Sequence, residues 1–195
     1  MDWVTTSTIL GDLRNFENRA AWVRFVNRFR KPVVRFACRI GVPEWEAEDV
    51  AQETLVAFAN AYRGGSYDRG KGRLSGWLFG IAYNQILRHR RAANRLPHKG
   101  ESSFLRNVPD EASASTLWDH EWEQSLLQNC LERASCEFES TTFRAFEMVV
   151  RDDRPPGETA ELLGIPIKAV YNAKHRVLKR VRELRSEYEE MMEKT

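Results

Sequence analysis

Along most of this chain, apolar residues return every three or four positions, and strand-like alternation is nearly absent, a pattern that predicts helices almost throughout. A first helix is expected over Phe16 to Arg30, with Trp22, Val23, Val26 and Phe29 on one face. Pro32 can open a second helix, because its missing N–H is already unpaired at a helix start. That helix carries Val33, Val34, Phe36, Ala37 and Ile40, and Gly41 ends it. Pro43 leads into a third helix, Glu44 to Tyr62, whose buried stripe is Ala47, Val50, Ala51, Thr54, Phe58 and Ala61. A loop from Gly64 to Arg73 holds four glycines and lets the backbone approach a ligand closely. A fourth helix, Leu74 to Arg91, buries Leu74, Trp77, Leu78, Ile81 and Ala82.

From Asn94 to Leu117 the periodicity breaks. Pro97, Gly100, the Ser102-Ser103 pair, Pro109 and the run from Ser113 to Thr116 predict a linker without a core of its own. A second helical unit is expected to begin near Asp119, read as an N-cap, with Trp122, Leu126, Leu127, Cys130 and Leu131 on one face. Ser140 is read as the cap of a helix bearing Phe143, Phe146, Val149 and Val150. The segment from Asp152 to Gly157 is a turn. A short helix, Glu158 to Leu163, then ends at Gly164, Ile165 plugs the turn, and Pro166 starts a last helix buried through Val170, Ala173, Val177, Val181 and Leu184. Small Ala160 at a crossing, glycine in the turn and an apolar residue after it form a helix-turn-helix pattern. The fold class is therefore all-α: two small helical domains, 1–93 and 119–195, joined by a flexible linker, 94–118.

Composition narrows the function. Among 195 residues, 30% are charged and 42% hydrophobic, which suits a folded helical protein. No apolar run approaches a membrane span and the start shows no secretion signal, so a cytoplasmic location is expected. The three cysteines, Cys38, Cys130 and Cys136, give no disulfide framework. Cys38 is read as core. With His120, the other two match no zinc spacing, so no metal and no cofactor is expected. Neither a phosphate-binding loop nor a nucleophile–base pair is visible, which argues against an enzyme.

The net charge of +2 is uninformative, but its distribution is not. Val42 to Tyr62 contains no Lys or Arg, Arg63 to Lys99 is strongly basic, Glu101 to Glu139 is mostly acidic, and Lys168 to Arg185 is basic again. Two basic blocks separated by acidic ones point to two polyanion contacts. On the last helix, Lys168, Tyr171, Asn172 and His175 project away from the buried stripe and offer donors, an amide suited to adenine and a flat ring for base edges. Lys174, Arg176, Lys179 and Arg180 are placed for phosphates, which set affinity rather than sequence choice. Tyr67, Arg69, Lys71 and Arg73 on the loop, with Asn84, Arg88, Arg90 and Arg91 on the following helix, combine cations and rings as single-stranded DNA requires. On the acidic helix Asp49, Gln52, Glu53 and Val56 share an exposed face that fits a basic protein partner.

The order of these blocks carries a resemblance. An Asp-Val-Ala-Gln-Glu-Thr-Leu helix, then Trp-Leu-Phe-Gly-Ile-Ala-Tyr-Asn, an Arg-rich end, a linker and a helix-turn-helix resembles the extracytoplasmic-function sigma factors of bacterial RNA polymerase, in the sigma-70 family. Regions 2 and 4 of that family correspond to Phe16 to Ala92 and Asp119 to Glu187. The resemblance implies a transcription-initiation subunit. Asp49, Gln52, Glu53 and Val56 would dock on the clamp helices of the largest polymerase subunit. Tyr67 to Arg73 and the next helix would capture and melt the −10 promoter element, and Lys168 to Lys179 would read the −35 element. An anti-sigma factor is a further partner the family admits. Two departures stand out: the loop is richer in Gly and Arg than is usual, and Ala173 stands where many relatives place Arg. The rival reading is a helix-turn-helix regulator that does not join polymerase. It explains the last third of the chain but not the acidic helix or the Tyr67 to Arg91 block.

Overall fold

A computed structural model describes residue 13, residues 17–93 and residues 108–193, with the side chains of Arg69, Ala93 and residues 189–193 outside that description. Among the described residues there are helices and no strands. They are α1 (Arg19–Arg39), α2 (Glu44–Arg63), a short 3-10 turn (Arg69–Lys71), α3 (Leu74–Ala93), α4 (Glu111–Glu137), α5 (Ser140–Val150), α6 (Pro156–Leu163) and α7 (Ile167–Glu193). The chain forms two compact units that divide between Ser125 and Leu126, within α4.

In the first unit, the two helices expected around Pro32 are one. Pro32 lies inside α1 and is buried. An internal proline removes a backbone hydrogen bond and disfavours a helix. Here Phe25, Phe29, Val33, Phe36 and Ala37 keep a single 3.6-residue stripe running through it, and all are buried. Burying each large apolar side chain is worth about 1.5–3 kcal/mol, so the stripe outweighs the break. The Asn18 side chain accepts from the Ala21 N–H at 3.1 Å and caps the start. At the other end Gly41 takes φ 97, the Gly41 N–H donates to the Cys38 carbonyl at 3.0 Å and the Val42 N–H to Ala37 at 2.9 Å. That left-handed turn satisfies two otherwise orphaned carbonyls and buries Val42.

A run of ring contacts crosses the core between α1, α2 and α3. Phe25 stacks on Phe58 with centroids 4.4 Å apart, Phe58 meets Trp77 at 4.9 Å, and Trp77 meets Tyr67 at 4.9 Å. Of the expected stripe on α2, Ala47, Val50, Ala51, Thr54 and Phe58 are buried, and Ala61 is half-buried. The Thr54 hydroxyl is satisfied by donating to the Val50 carbonyl at 2.7 Å.

The segment read as a linker differs where it is described. Asn94 to Asn107 lies outside the described residues, but α4 begins at Glu111. Asp110 receives the Ser113 N–H at 2.9 Å, so the cap is Asp110, and Asp119 is an exposed interior residue. Ala114 and Trp118 are buried in the first unit's core, where Trp118 meets Phe36 at 5.3 Å and Trp122 stacks on Phe29 at 5.4 Å. Glu121 receives Arg39 Nε at 2.8 Å, and the Tyr83 hydroxyl donates to the Pro109 carbonyl at 2.8 Å. The small residues that break the apolar periodicity here, Ala112 to Thr116, are compatible with a helix anchored by two tryptophans.

The second unit packs the later part of α4 with α5 and α7 around Cys130, Ala134, Phe146, Val177, Val181, Leu184 and Tyr188. Ser140 is the first residue of α5 rather than its cap; Glu139 precedes it without a side-chain bond. Pro156 sits in the first turn of α6, where a proline costs least. Gly164 takes φ 63, its N–H donates to Glu161 at 3.3 Å, and the Ile165 N–H donates to Ala160 at 3.0 Å. Ala160 and Thr159 are buried beneath this turn. The expected stripe on α7, Val170, Ala173, Val177, Val181 and Leu184, is buried in full.

Candidate nucleic-acid interfaces and docking face

α2 separates its charged residues by face. Opposite the buried stripe, Asp49, Gln52, Glu53 and Val56 are exposed, Val56 by 60%. Internal partners do not treat the acids alike. Glu48 pairs with Arg30 of α1 at 2.7 Å, and His89 Nε2 of α3 lies 3.3 Å from a Glu53 carboxylate oxygen. Asp49 and Gln52 have no side-chain partner among the described residues. The sequence-predicted face is thus assembled, with Glu53 also tying α2 to α3. The sequence reading passed over Trp45, which precedes Asp49 by one helical turn and is 77% exposed.

The loop before α3 is shaped by Asp68. Its carboxylate accepts the Gly70 N–H at 2.9 Å and lies 3.6 Å from the Lys71 ammonium. Around it, Ser66, Tyr67, Asp68, Lys71, Gly72, Arg73, Gly76 and Trp77 line an open pocket of about 290 Å³. Tyr67 and Trp77 form a half-buried aromatic wall, while Lys71 and Arg73, also in the lining, are exposed. Trp77 is both a core residue, against Phe58, and a pocket wall. The Arg69 side chain lies outside the described residues. On α3, Asn84 is exposed but turns its amide back to the Gly80 carbonyl at 2.8 Å. Arg88 and Arg91 are exposed and Arg90 is half-buried, so the α3 cations extend away from the loop pocket along the helix.

On α7, Lys168, Tyr171, Asn172, Lys174, His175, Arg176 and Lys179 are all exposed. Arg176 lies over the Phe138 ring at 5.5 Å, and Lys179 is 3.9 Å from Glu183. Ala173 points into the core, so its lack of charge removes no groove contact. Arg180 differs from its expected role. Its guanidinium is held by Glu137 at 2.5 Å and 3.1 Å, by Glu187 at 2.9 Å and by Glu183 at 3.4 Å. Those hydrogen bonds hold the Glu137 carboxyl below the usual carboxylate range and push Arg180 up. A guanidinium so occupied is a strut between helices, not a phosphate ligand.

The cysteine reading is also corrected. Cys38 is exposed on α1, although partial desolvation and the carboxylates of Glu44 and Glu48 push its thiol up. Among the described residues no cluster of three or more His, Cys, Asp or Glu could hold a metal ion, and no helix is long and apolar enough to cross a membrane.

Comparison with known proteins places this arrangement. No curated protein matches the chain. Residues 25–96 match the family model of sigma-70 region 2. That stretch takes in most of α1, the acidic helix α2, the loop pocket and α3. The match identifies a sigma-70 region 2 domain over those residues.

Proposed function

With a sigma-70 region 2 domain as premise, we propose that this chain is a sigma factor of the extracytoplasmic-function type that holds promoter DNA at two places. The observation that carries the reading is the exposed Asp49, Gln52 and Val56 face on the matched domain, which also holds a pocket lined by Tyr67, Trp77, Lys71 and Arg73. The face docks on the clamp helices of the largest subunit of core RNA polymerase. Acidic and amide groups meet basic side chains there, and Val56 contributes apolar contact.

The loop and α3 act on the −10 element. Lys71, Arg73, Arg88 and Arg91 attract the phosphodiester, while Tyr67 and Trp77 offer ring surface to an unstacked base. Strand separation uses no nucleotide hydrolysis by this chain. Capture of extruded bases offsets the few kcal/mol (order of magnitude) that unstacking costs. Asn84, which donates one amide N–H to the Gly80 carbonyl, keeps its second N–H and its Oδ1 for DNA. The second unit acts as sigma region 4. α7 enters the major groove of the −35 element, with Lys168, Tyr171, Asn172 and His175 at base edges and Lys174, Arg176 and Lys179 at phosphates.

Separate weak contacts become strong when polymerase joins them, because each raises the effective concentration of the other. The free protein should therefore bind promoter duplex weakly and with steep salt dependence. Run-off transcription with core RNA polymerase and genomic promoter fragments tests the whole reading. A start site that appears only with this protein supports it. Promoter binding by the free chain as tight as by the holoenzyme, with no transcript, would favour a regulator that never joins polymerase.

A further inference from the structure

α2 exposes an indole that the docking reading leaves unused. Trp45 lies in the first turn and is 77% exposed, more than any other large apolar side chain described. At 3.6 residues per turn, Trp45, Asp49, Gln52 and Val56 fall within about 60° of arc and along about 16 Å of helix. Val56, at the far end of this strip, is 60% exposed. The strip therefore reads apolar, acid, amide, apolar. Glu44, Glu46 and Glu48 lie beside the indole in sequence, and Arg30 engages Glu48. Leaving a tryptophan in water forgoes the largest burial energy of any side chain, and interface hot spots are enriched in this residue.

We infer that Trp45 is an anchor of the polymerase docking face, extending it one turn toward the start of α2. This rests on the docking role proposed for Asp49 and Gln52. Its occupant is the same basic helical surface of core polymerase that receives those residues. An arginine or lysine there would lie across the indole face, where ring quadrupole and flanking carboxylates attract it together. Two features of the structure favour this occupant: Trp45 is continuous with the docking strip, and its surroundings are acidic.

The test is equilibrium binding of the full chain to core RNA polymerase, by competition against a labelled wild-type copy. Trp45→Ala should weaken binding by about 10- to 30-fold, and Trp45→Phe, which keeps a ring, should stay within about threefold of wild type. Thermal melts of both variants should match wild type, because the indole packs on little of the protein. Asp49→Lys with Gln52→Ala serves as the reference for the docking role. If that pair weakens binding while Trp45→Ala does not, the anchor is wrong and the docking role stands. If neither does, or the chain does not bind core polymerase, both fall. Sedimentation of the free chain adds a last arm: a dimer that Trp45→Ala dissolves, with polymerase affinity unchanged, would make a second copy the occupant and overturn the inference.

Discussion

The two units both present basic helices, yet they use their acids in opposite ways. In the first, carboxylates on α2 face outward, and among the described residues Glu48 is held by Arg30 and Glu53 lies against His89. In the second, Glu137 and Glu187 turn onto Arg180 at the surface and occupy its guanidinium. Their cores differ too. In the first, ring contacts run from Phe25 through Phe58 and Trp77 to Tyr67, and in the second Phe143 meets Phe146 at 5.6 Å beside Val177, Val181 and Leu184. A charge counted in a sequence is thus not yet a charge offered to a ligand. What decides is whether a neighbouring helix brings a partner within hydrogen-bond reach.

The largest test of this contrast concerns the first core alone. Trp118→Ala should destabilise the first unit by about 3–5 kcal/mol, the usual cost of emptying a buried aromatic site. Denaturant titration followed by two-dimensional NMR would show first-unit resonances lost at lower urea while those of α5 and α7 persist. Simultaneous loss of both units would mean that α4 couples them, and the contrast would have to be redrawn.

Next in size is the outward acidic face. Asp49→Lys with Gln52→Ala should reduce capture of core polymerase by about 2–3 kcal/mol, as removing interfacial polar anchors does. The folded stability of the variant should stay within about 0.5 kcal/mol of wild type, as for exposed positions generally. Replacing Glu48 instead should affect stability more than capture, because Arg30 would lose its partner.

How much of this was legible beforehand depended on the distance between partners. Periodicity on α2 and α7 reports burial directly, so their stripes and exposed faces were readable from spacing alone. Gly164 and Ala160 were readable for a similar reason, since the turn makes local demands on both. Pro32 misleads because its local preference opposes a helix that the continuous apolar stripe on either side of it enforces. The start of α4 misled because Ser, Ala and Pro at 109–116 look like a linker until Trp118 and Trp122 find Phe36 and Phe29 about eighty to ninety positions earlier in the sequence. Arg180 failed likewise: Glu137 is 43 positions away, and no local signal brings them together. Trp45 and Asp110 do carry local signals, a four-residue offset from Asp49 and a three-residue offset from the Ser113 N–H.

On α7 the contrast can be sharpened within one helix. Asn172→Ala should cost about 1–2 kcal/mol on a matching −35 duplex and relax base preference at one position. Lys174→Ala should weaken binding to all duplexes alike and lower the salt slope by about one. Electrophoretic binding assays over a salt series on matched and mismatched duplexes separate the two roles.

The smallest effect concerns Arg180, where the expected phosphate ligand became a strut. Arg180→Ala should leave the salt slope of DNA binding unchanged, unlike Lys174→Ala, and lower the stability of the second unit by about 1 kcal/mol, the scale for a partly exposed ion-pair network. The same contact predicts a pH dependence. Arg180 holds the Glu137 carboxyl below its ordinary range, so the folded state binds a proton at that site less readily than the unfolded chain. Its contribution to stability is complete above the unfolded carboxylate pKa and is lost as pH falls through the depressed folded value. Melting the wild-type protein and Arg180→Ala from neutral to acidic pH should therefore show two curves that lie apart at neutrality and converge in acid. Curves that remain parallel would mean that the carboxylates contribute nothing through Arg180, and that the guanidinium is free for DNA after all.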